Sequence, residues 1–442
     1  MNYNEAINYV YQFTNYEAVP RPHAEDNYDL RRLFEVLDLL GNPHLKAKSL
    51  HITGTNGKGS TAVMLASVLS AAGYKTGLYT SPHLITSRER FTVDGKMISE
   101  QQLADIVTRI KPEIEAVNTK ATYGILTVFE ILTVVSFVFF AEQKVDFQVM
   151  EVGMGGRYDA TNVIQPLVCF LTAISYDHCD ILGDTLTKIA GEKCGIIKPG
   201  CTVISHPQEA EAAAVIFQDC SQKNVKLIQV GQEVTRRSMD FNFDGQRIEI
   251  KGRLDRYQVA IPLLGQYQLD NTAAVIAGLE VLIEKGYKIS KAQIIKGLAA
   301  VEFPGRMNIV SRNPLIVMDG GHNPGAAHNL KEALLKYFPD YNKILVTGMA
   351  GDKDIPGIIK ELAPLFKTVI VTRAHSQRAA KTDFLAAEFA KYKITAIQTE
   401  NVVKALEEAK KLAGPKDVIV VTGSLYVVGE AKEYIEGYKG NH

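Results

Sequence analysis

From about residue 50 onward the chain alternates short β-branched apolar runs with longer stretches of helical periodicity, the pattern of a parallel α/β architecture. "SLHIT", "TGLYT", "FQVMEV", "LVCFLTAI" and "CTVISH" read as strands. Between them "GSTAVMLASVLSAAG", "SEQQLADIVTRIKPEIEAV" and the stretch from Phe129 to Glu142 read as helices. The most apolar run, Ile131 to Ala141, falls short of the roughly 20 residues that a bilayer requires and predicts a buried helix. Past about residue 225 the period shortens: "FNFDGQRIEIKG" and "YQVAIPLL" alternate like a small antiparallel hairpin, followed by helices in "YQLDNTAAVIAGLEVLIEKG" and "SKAQIIKGLAAV". Pro304 and Gly305 punctuate the chain, and a second alternation follows with strands in "PLIVMDGG", "KILVTGM", "TVIVTRA", "ITAIQ" and "DVIVVTGS". The pattern predicts a phosphate-loop parallel-sheet domain with a β appendage over residues 1–303 and a Rossmann-like α/β domain over residues 304–442.

One strand-to-helix turn in the first domain carries candidate chemistry. "HITGTNGKGSTAVML" departs from the GxxxxGK[ST] phosphate loop: Ile52 stands where its first glycine belongs, and Gly59 where its hydroxyl belongs. Its position still suits an anion, because ligands bind at the carboxyl edge of open parallel sheets. Gly54, Gly57 and Gly59 allow inward-facing N–H groups, the helix start adds a positive dipole, and Lys58 can reach terminal phosphates. A glycine-rich turn with no ligand is the competing reading.

Other polar residues fall at the same edge. Glu151 ends an apolar strand, and Asp177 and His178 follow another. Separately, each reads as an ordinary strand-end residue; together they suit a nucleotide accompanied by Mg²⁺, which takes one or two protein oxygens plus phosphates and water. Lys193 in "EKCGIIKPG" has an apolar flank that would desolvate it and lower its pKa, making it a base or an acceptor of CO₂; a surface ion pair with Glu192 is the alternative.

Composition narrows the partners. Lys plus Arg and Asp plus Glu are each 49, so no broad charge invites nucleic acid or anionic membrane. "MNYNEAINYVYQF" does not resemble a signal peptide, and five cysteines without a CxxC pair fit reduced thiols; a cytoplasmic protein is expected.

In order along the chain, "LGNPHLKAKSLHITGTNGKGST", "YTSPHL", "RERF", "TVFEILT", "MEVGMGGRYDATNV", "DHCDILGDTLTKIAGEKCGIIK", "GQYQLDN", "FPGRM", "DGGHNP" and "GDKD" resemble folylpolyglutamate synthase and the bifunctional dihydrofolate synthase of the Mur ligase superfamily. The family uses the shorter loop GTxGK[GT][ST], which "GTNGKGS" fits. The resemblance implies a Mur ligase-like fold in which Gly54, Thr55, Asn56, Gly57, Lys58, Gly59 and Ser60 hold ATP phosphates, with Asn271, Arg306, Asp319 and His322 at the nucleotide. It implies Ser81, Glu151 and His178 as magnesium ligands, and Lys193 as a carbamate-bearing lysine. Lys58, His178 and Lys193 would carry the chemistry, with Arg88 or Arg90 at a substrate carboxylate in a flexible loop by the pterin pocket. The implied reaction joins L-glutamate to a folate, and to dihydropteroate in a bifunctional member, through an acyl phosphate made from ATP; a monomer is the family's pattern. Gly321 departs from the family's usual alanine, and "RPHAEDNYDL" fits its lead-in poorly, so no function is carried onto that stretch. A cell-wall Mur ligase is the nearest rival, with too few residues before "LHITGTNGKGS" for its usual extra domain. A non-catalytic nucleotide-binding module is the rival of another class, disfavoured by Lys58, Glu151, His178 and Lys193.

Overall fold

The computed structural model describes residues 1–17 and 29–437, so most of the poorly matching "RPHAEDNYDL" stretch lies outside the described residues. β1 (Lys48–Thr53), β2 (Thr76–Tyr79), β3 (Phe91–Val93), β4 (Lys96–Met97), β5 (Phe147–Glu151), β6 (Pro166–Leu171), β7 (Thr202–Ser205) and β8 (Lys226–Gln229) form one sheet in the order β4-β3-β2-β5-β1-β6-β7-β8. β3 and β4 pair antiparallel at one edge; the other six run parallel. Parallel strands are covered on both faces, which is why β1, β5 and β6 are nearly uninterrupted runs of buried residues. The helices Lys58–Ala71 and Tyr267–Glu284 cover one face, and Glu100–Lys120 and Val128–Gln143 the other. Val128–Gln143 is apolar around most of its circumference and buried accordingly.

β9 (Thr235–Asn242), β10 (Gly245–Lys251) and β11 (Arg256–Ile261) form a separate three-stranded antiparallel sheet. β12 (Asn308–Arg312), β13 (Leu315–Met318), β14 (Asn342–Thr347), β15 (Thr368–Val371), β16 (Ile397–Gln398) and β17 (Asp417–Thr422) form a third sheet, ordered β12-β13-β17-β14-β15-β16, with only β12 antiparallel. Its five parallel strands are the five expected from the sequence. Additional to that reading are the β3–β4 hairpin, β8, most of β9, β12 and the helices Tyr3–Tyr11, Leu30–Leu39 and Ala210–Gln222.

β1 lies between β5 and β6, and the chain builds the sheet outward to both sides of it. The loop after β1 therefore opens at the point where the direction of winding reverses, the place where open α/β sheets leave a crevice. The carboxyl ends of β13 and β17 in the third sheet face the same crevice, through Asp319 just after one strand and Ser424 just after the other.

Candidate active site

A cavity of about 310 Å³ lies between the first and third sheets, within the size range of small-molecule sites. Its floor is the turn from Gly54 to Ser60. Thr55 and Asn56 donate backbone N–H to the Ala173 carbonyl at 2.9 and 3.2 Å, and the Thr55 hydroxyl donates to Ser175 O at 3.0 Å, so the turn is stitched to the loop after β6. Two glycines are demanded by close approach. Gly54 has φ +147°, and a Cβ there would lie 1.8 Å from Thr172 Oγ1; Gly57 has φ +93°, and a Cβ there would lie 2.4 Å from Asn271 Oδ1. Asn271 thus supports the loop from beneath, its amide donating to Gln268 at 2.7 Å. Ser60, one residue past the usual hydroxyl position, is buried and accepts from Gln268 at 3.3 Å.

Two lysines converge on one carbonyl. Lys58 Nζ donates to Gly54 O at 3.1 Å and Thr55 O at 3.2 Å, while Lys193 Nζ donates to Gly54 O at 2.8 Å. Burial lowers both pKa values. Lys193, only 3% exposed, is brought down to about 7 by desolvation and by the neighbouring Lys58 charge. Desolvation also lowers Lys58, against the pull of Glu151 and Asp177. Glu151 is buried and accepts from the Ser81 N–H at 3.0 Å; desolvation raises its carboxyl, with Lys58 opposing.

Across the cavity, burial opposes ionisation of Asp177, yet His178, Lys353 and His322 together hold its carboxyl well below the usual carboxylate range. Lys353 Nζ lies 2.8 Å from Asp177 Oδ1 and 3.4 Å from His178 Nε2. Desolvation holds His178 and His322 each down to about 4, hence neutral at pH 7. His322 Nδ1 approaches Gly320 O at 3.0 Å. Asp319 accepts from Gly321 N at 2.8 Å and Met307 N at 3.0 Å; burial raises its carboxyl while Arg306 lowers it. The Arg306 guanidinium stands 5.5 Å over the Phe303 ring. The structure therefore gathers Gly54 to Ser60, Ser81, Glu151, His178, Lys193, Arg306, Asp319 and His322 around one cavity.

Arg88 and Arg90, expected at a substrate carboxylate, do not line this cavity. Arg88 turns to the β3–β4 hairpin, donating to Ile98 O at 2.9 Å and pairing with Glu100. Arg90 is 1% exposed and is committed to Glu17, with bonds of 2.9 and 2.7 Å, and to His83 at 2.9 Å. The loop between them and β2 is also fastened, since Leu84, Ile85 and Thr86 all donate N–H to Glu89.

Several cavity residues had no role in the sequence reading. Phe129, Met154, Tyr158 and Leu182 line an apolar end, where Thr127, Asp159 and the buried Arg32–Glu130 ion pair (2.8 Å) supply polar edges. Lys353 and Asn323 fall within "GDKD" and "DGGHNP", motifs visible in the sequence, but their partners lie more than a hundred residues away and only the fold reveals them.

Among the described residues, no cluster of three His, Cys, Asp or Glu side chains is arranged to hold a metal. A cage of that kind is not what Mg²⁺ needs: one buried carboxylate beside a phosphate loop suffices when phosphates supply the remaining oxygens. Glu151, its Oε2 fixed by Ser81, meets that condition.

A phosphate loop with two lysines on one α/β body, faced by an arginine and a buried aspartate on another, defines a two-domain nucleotide-dependent protein of the phosphoryl-transfer class. The Mur ligase middle-domain family matches residues 52–279, and the family of the Mur ligase glutamate ligase domain matches residues 305–425. The chain is 34% identical to the dihydrofolate synthase/folylpolyglutamate synthase of Bacillus subtilis strain 168, covering 92% of this chain and 95% of that one. It is 32% identical to the folylpolyglutamate synthase of Lacticaseibacillus casei over 99% of this chain and 100% of that one. Among solved structures, Mycobacterium tuberculosis folylpolyglutamate synthase complexed with ADP and AMPPCP superposes with a TM-score of 0.89 at 33% identity, covering 94% of this chain and 96% of that one. An FPGS–AMPPCP–folate complex gives 0.85 at 30% identity, covering 98% and 99%. The chain belongs to the Mur ligase family, in its folylpolyglutamate synthase/dihydrofolate synthase branch.

Proposed function

We infer that the chain is an ATP-dependent ligase that joins L-glutamate to a folate, working in the cytoplasm as a monomer of two bodies, residues 1–303 and 304–442. The observation that carries this reading is the convergence of Lys58, Lys193 and Glu151 from one body with Arg306, Asp319 and His322 from the other on a single cavity. A folate carboxylate oxygen attacks the γ-phosphorus of ATP; the bond to the bridging oxygen breaks, leaving ADP and an acyl phosphate. The glutamate amine then attacks the acyl carbon, loses its proton, and inorganic phosphate departs.

The difficulty is bringing a carboxylate up to a triphosphate. Lys58 and the N–H groups of Gly57 to Ser60 answer it by offering fixed positive charge where the transferred phosphoryl oxygens gather theirs. Magnesium, when bound through Glu151, Ser81 and His178, neutralises phosphate charge. Asp319 and Arg306 hold the nucleotide from the second body, and closure of the two bodies keeps water from the acyl phosphate. The apolar end at Phe129 and Tyr158 suits a flat heteroaromatic ring, with Asp159 and Thr127 at its polar edge. Lys193 acts as a carbamate.

The test is phosphate release and product mass with ATP, L-glutamate and either tetrahydrofolate or dihydropteroate. Release that needs both glutamate and a pterin substrate is expected, and the two pterin arms separate a single from a bifunctional activity. Release independent of both substrates, or none, overturns the reading. Lys58→Ala is expected to abolish turnover with the fold unchanged by circular dichroism.

A further inference from the structure

Asn323 begins the helix Pro324–Tyr337 of the second body and is almost fully buried. Its Oδ1 caps that helix, accepting from Ala326 N at 2.8 Å. Its amide nitrogen does something a cap does not require. One N–H donates to Asn56 Oδ1 at 3.2 Å, inside the phosphate loop, and the other to Asp177 Oδ2 at 3.0 Å, beyond β6. Asn56 returns the bond, its own amide approaching Asn323 Oδ1 at 3.4 Å and Ser175 Oγ at 3.3 Å. Asp177 gives its remaining oxygen to Lys353, again from the second body.

We propose that Asn323 is a positioning residue that fixes the register of the second body on the phosphate loop. Only an amide meets all three demands at this point: an acceptor for the helix, and donors for Asn56 and for Asp177. The Asn56 side chain is correspondingly engaged by the other body, so loop geometry and the placement of Asp319 and Arg306 are set together. This inference rests on the ligase reading for its rate consequences, and on geometry alone for its structural ones.

Asn323→Asp separates the two roles of the residue. Aspartate caps a helix as well as asparagine, so stability should hold. Both donors vanish, however, and a carboxylate now faces Asp177. Asp177→Asn places a donor opposite that carboxylate and should restore the contact with its polarity reversed.

Two readouts are needed. In the wild-type chain, glutamate-dependent ADP release is measured first; its absence would sink the ligase reading and leave the second readout to judge Asn323. With turnover present, Asn323→Asp should lower kcat by about 10²-fold, the cost of an ångström-scale misplacement, while the unfolding midpoint stays put. Adding Asp177→Asn should recover about 10-fold of that loss. By small-angle scattering with AMPPCP, Asn323→Asp should be more extended than the wild type, and the double variant should be compact again. Wild-type kcat with wild-type dimensions in Asn323→Asp overturns the proposal, as does a double variant no better than the product of the singles. A lowered unfolding midpoint that accounts for the whole rate loss assigns Asn323 to capping alone and overturns it too.

Discussion

At the scale of single residues, Lys193 shows how burial prepares a side chain for chemistry. An ordinary lysine is almost wholly protonated at neutral pH and cannot attack CO₂. Desolvation, with Lys58 beside it, brings this one to about 7, so a large share of the amine is neutral near physiological pH. A neutral amine there can add to the carbon of CO₂ and release a proton, which is the chemistry the proposed carbamate requires, beside Gly54. Lys193→Ala should lower turnover roughly 10–100-fold, as loss of a group orienting a metal site does, with AMPPCP binding retained. Added acetate should restore part of the rate, because a small carboxylate fits the vacated space. Full activity in the unsupplemented variant would exclude the role. Lys193 was legible in the sequence from its apolar flank, now seen as the buried Cys194, Ile196 and Ile197. Arg90 was misleading for the converse reason. A loop arginine reads as available, and nothing in local spacing announces that Glu17, seventy-three positions away, has claimed it.

At the scale of elements, the parallel strands were legible because burial on both faces leaves an unbroken apolar run. What escaped is short or half-exposed: β4 has two residues, and β12 has no fully buried position. The helix Tyr3–Tyr11 did carry a signal, Asn2 followed three residues later by Glu5, and the two form a reciprocal capping box. The three-stranded sheet was expected as an appendage to the first sheet, yet its tip is built into the second body. Phe241 meets Tyr337 edge-on at 4.7 Å, and Phe243 stacks on Phe338 at 5.3 Å. Tyr337 OH donates to Gln246 Oε1 at 2.8 Å and accepts from Gly265 N at 3.3 Å, both inside the protein. Tyr337→Phe leaves those two groups unpaired while keeping the ring, so it should cost about 1–3 kcal/mol. A urea titration reads this directly: a lower midpoint with an unchanged slope is expected, and an unmoved midpoint would show that the hydroxyl contributes nothing.

At the scale of the whole molecule, the two bodies touch through contrasting surfaces. The contact of the three-stranded sheet with the second body is largely aromatic, whereas the cavity side is built of polar contacts, Asn56 with Asn323, Asp177 with Lys353 and Glu17 O with Arg378. Polar contacts exchange with water at small net cost and apolar ones do not, so opening for substrate entry should part the cavity side and turn about the three-stranded sheet.

Acid tests the molecule as a whole in another way. His51 is fully buried, its Nε2 2.8 Å from Thr161 Oγ1, and Thr161 gives its own proton to Asp159 at 2.5 Å. Nε2 must therefore carry hydrogen, and Nδ1 is a lone pair without a partner. Protonating Nδ1 would bury both a charge and an unmet donor, and desolvation accordingly depresses this pKa from 6.5 to about 3. The unfolded chain takes up the proton near 6.5 while the folded one refuses it, so the unfolded state binds more protons and stability falls with pH below that value. Glu151, Asp159 and Asp319, raised by burial, act in the opposite direction, since the folded state gains their protons first. Comparing the wild type with His51→Gln cancels those carboxyls and isolates the histidine, because the glutamine amide can still donate to Thr161. Between about pH 7 and about pH 5 the wild type should lose about 2 kcal/mol more than the variant, roughly 1.5 pH units at 1.36 kcal/mol each. Urea midpoints for both proteins across that range measure it, and parallel pH profiles would show that His51 is protonated in the folded state after all.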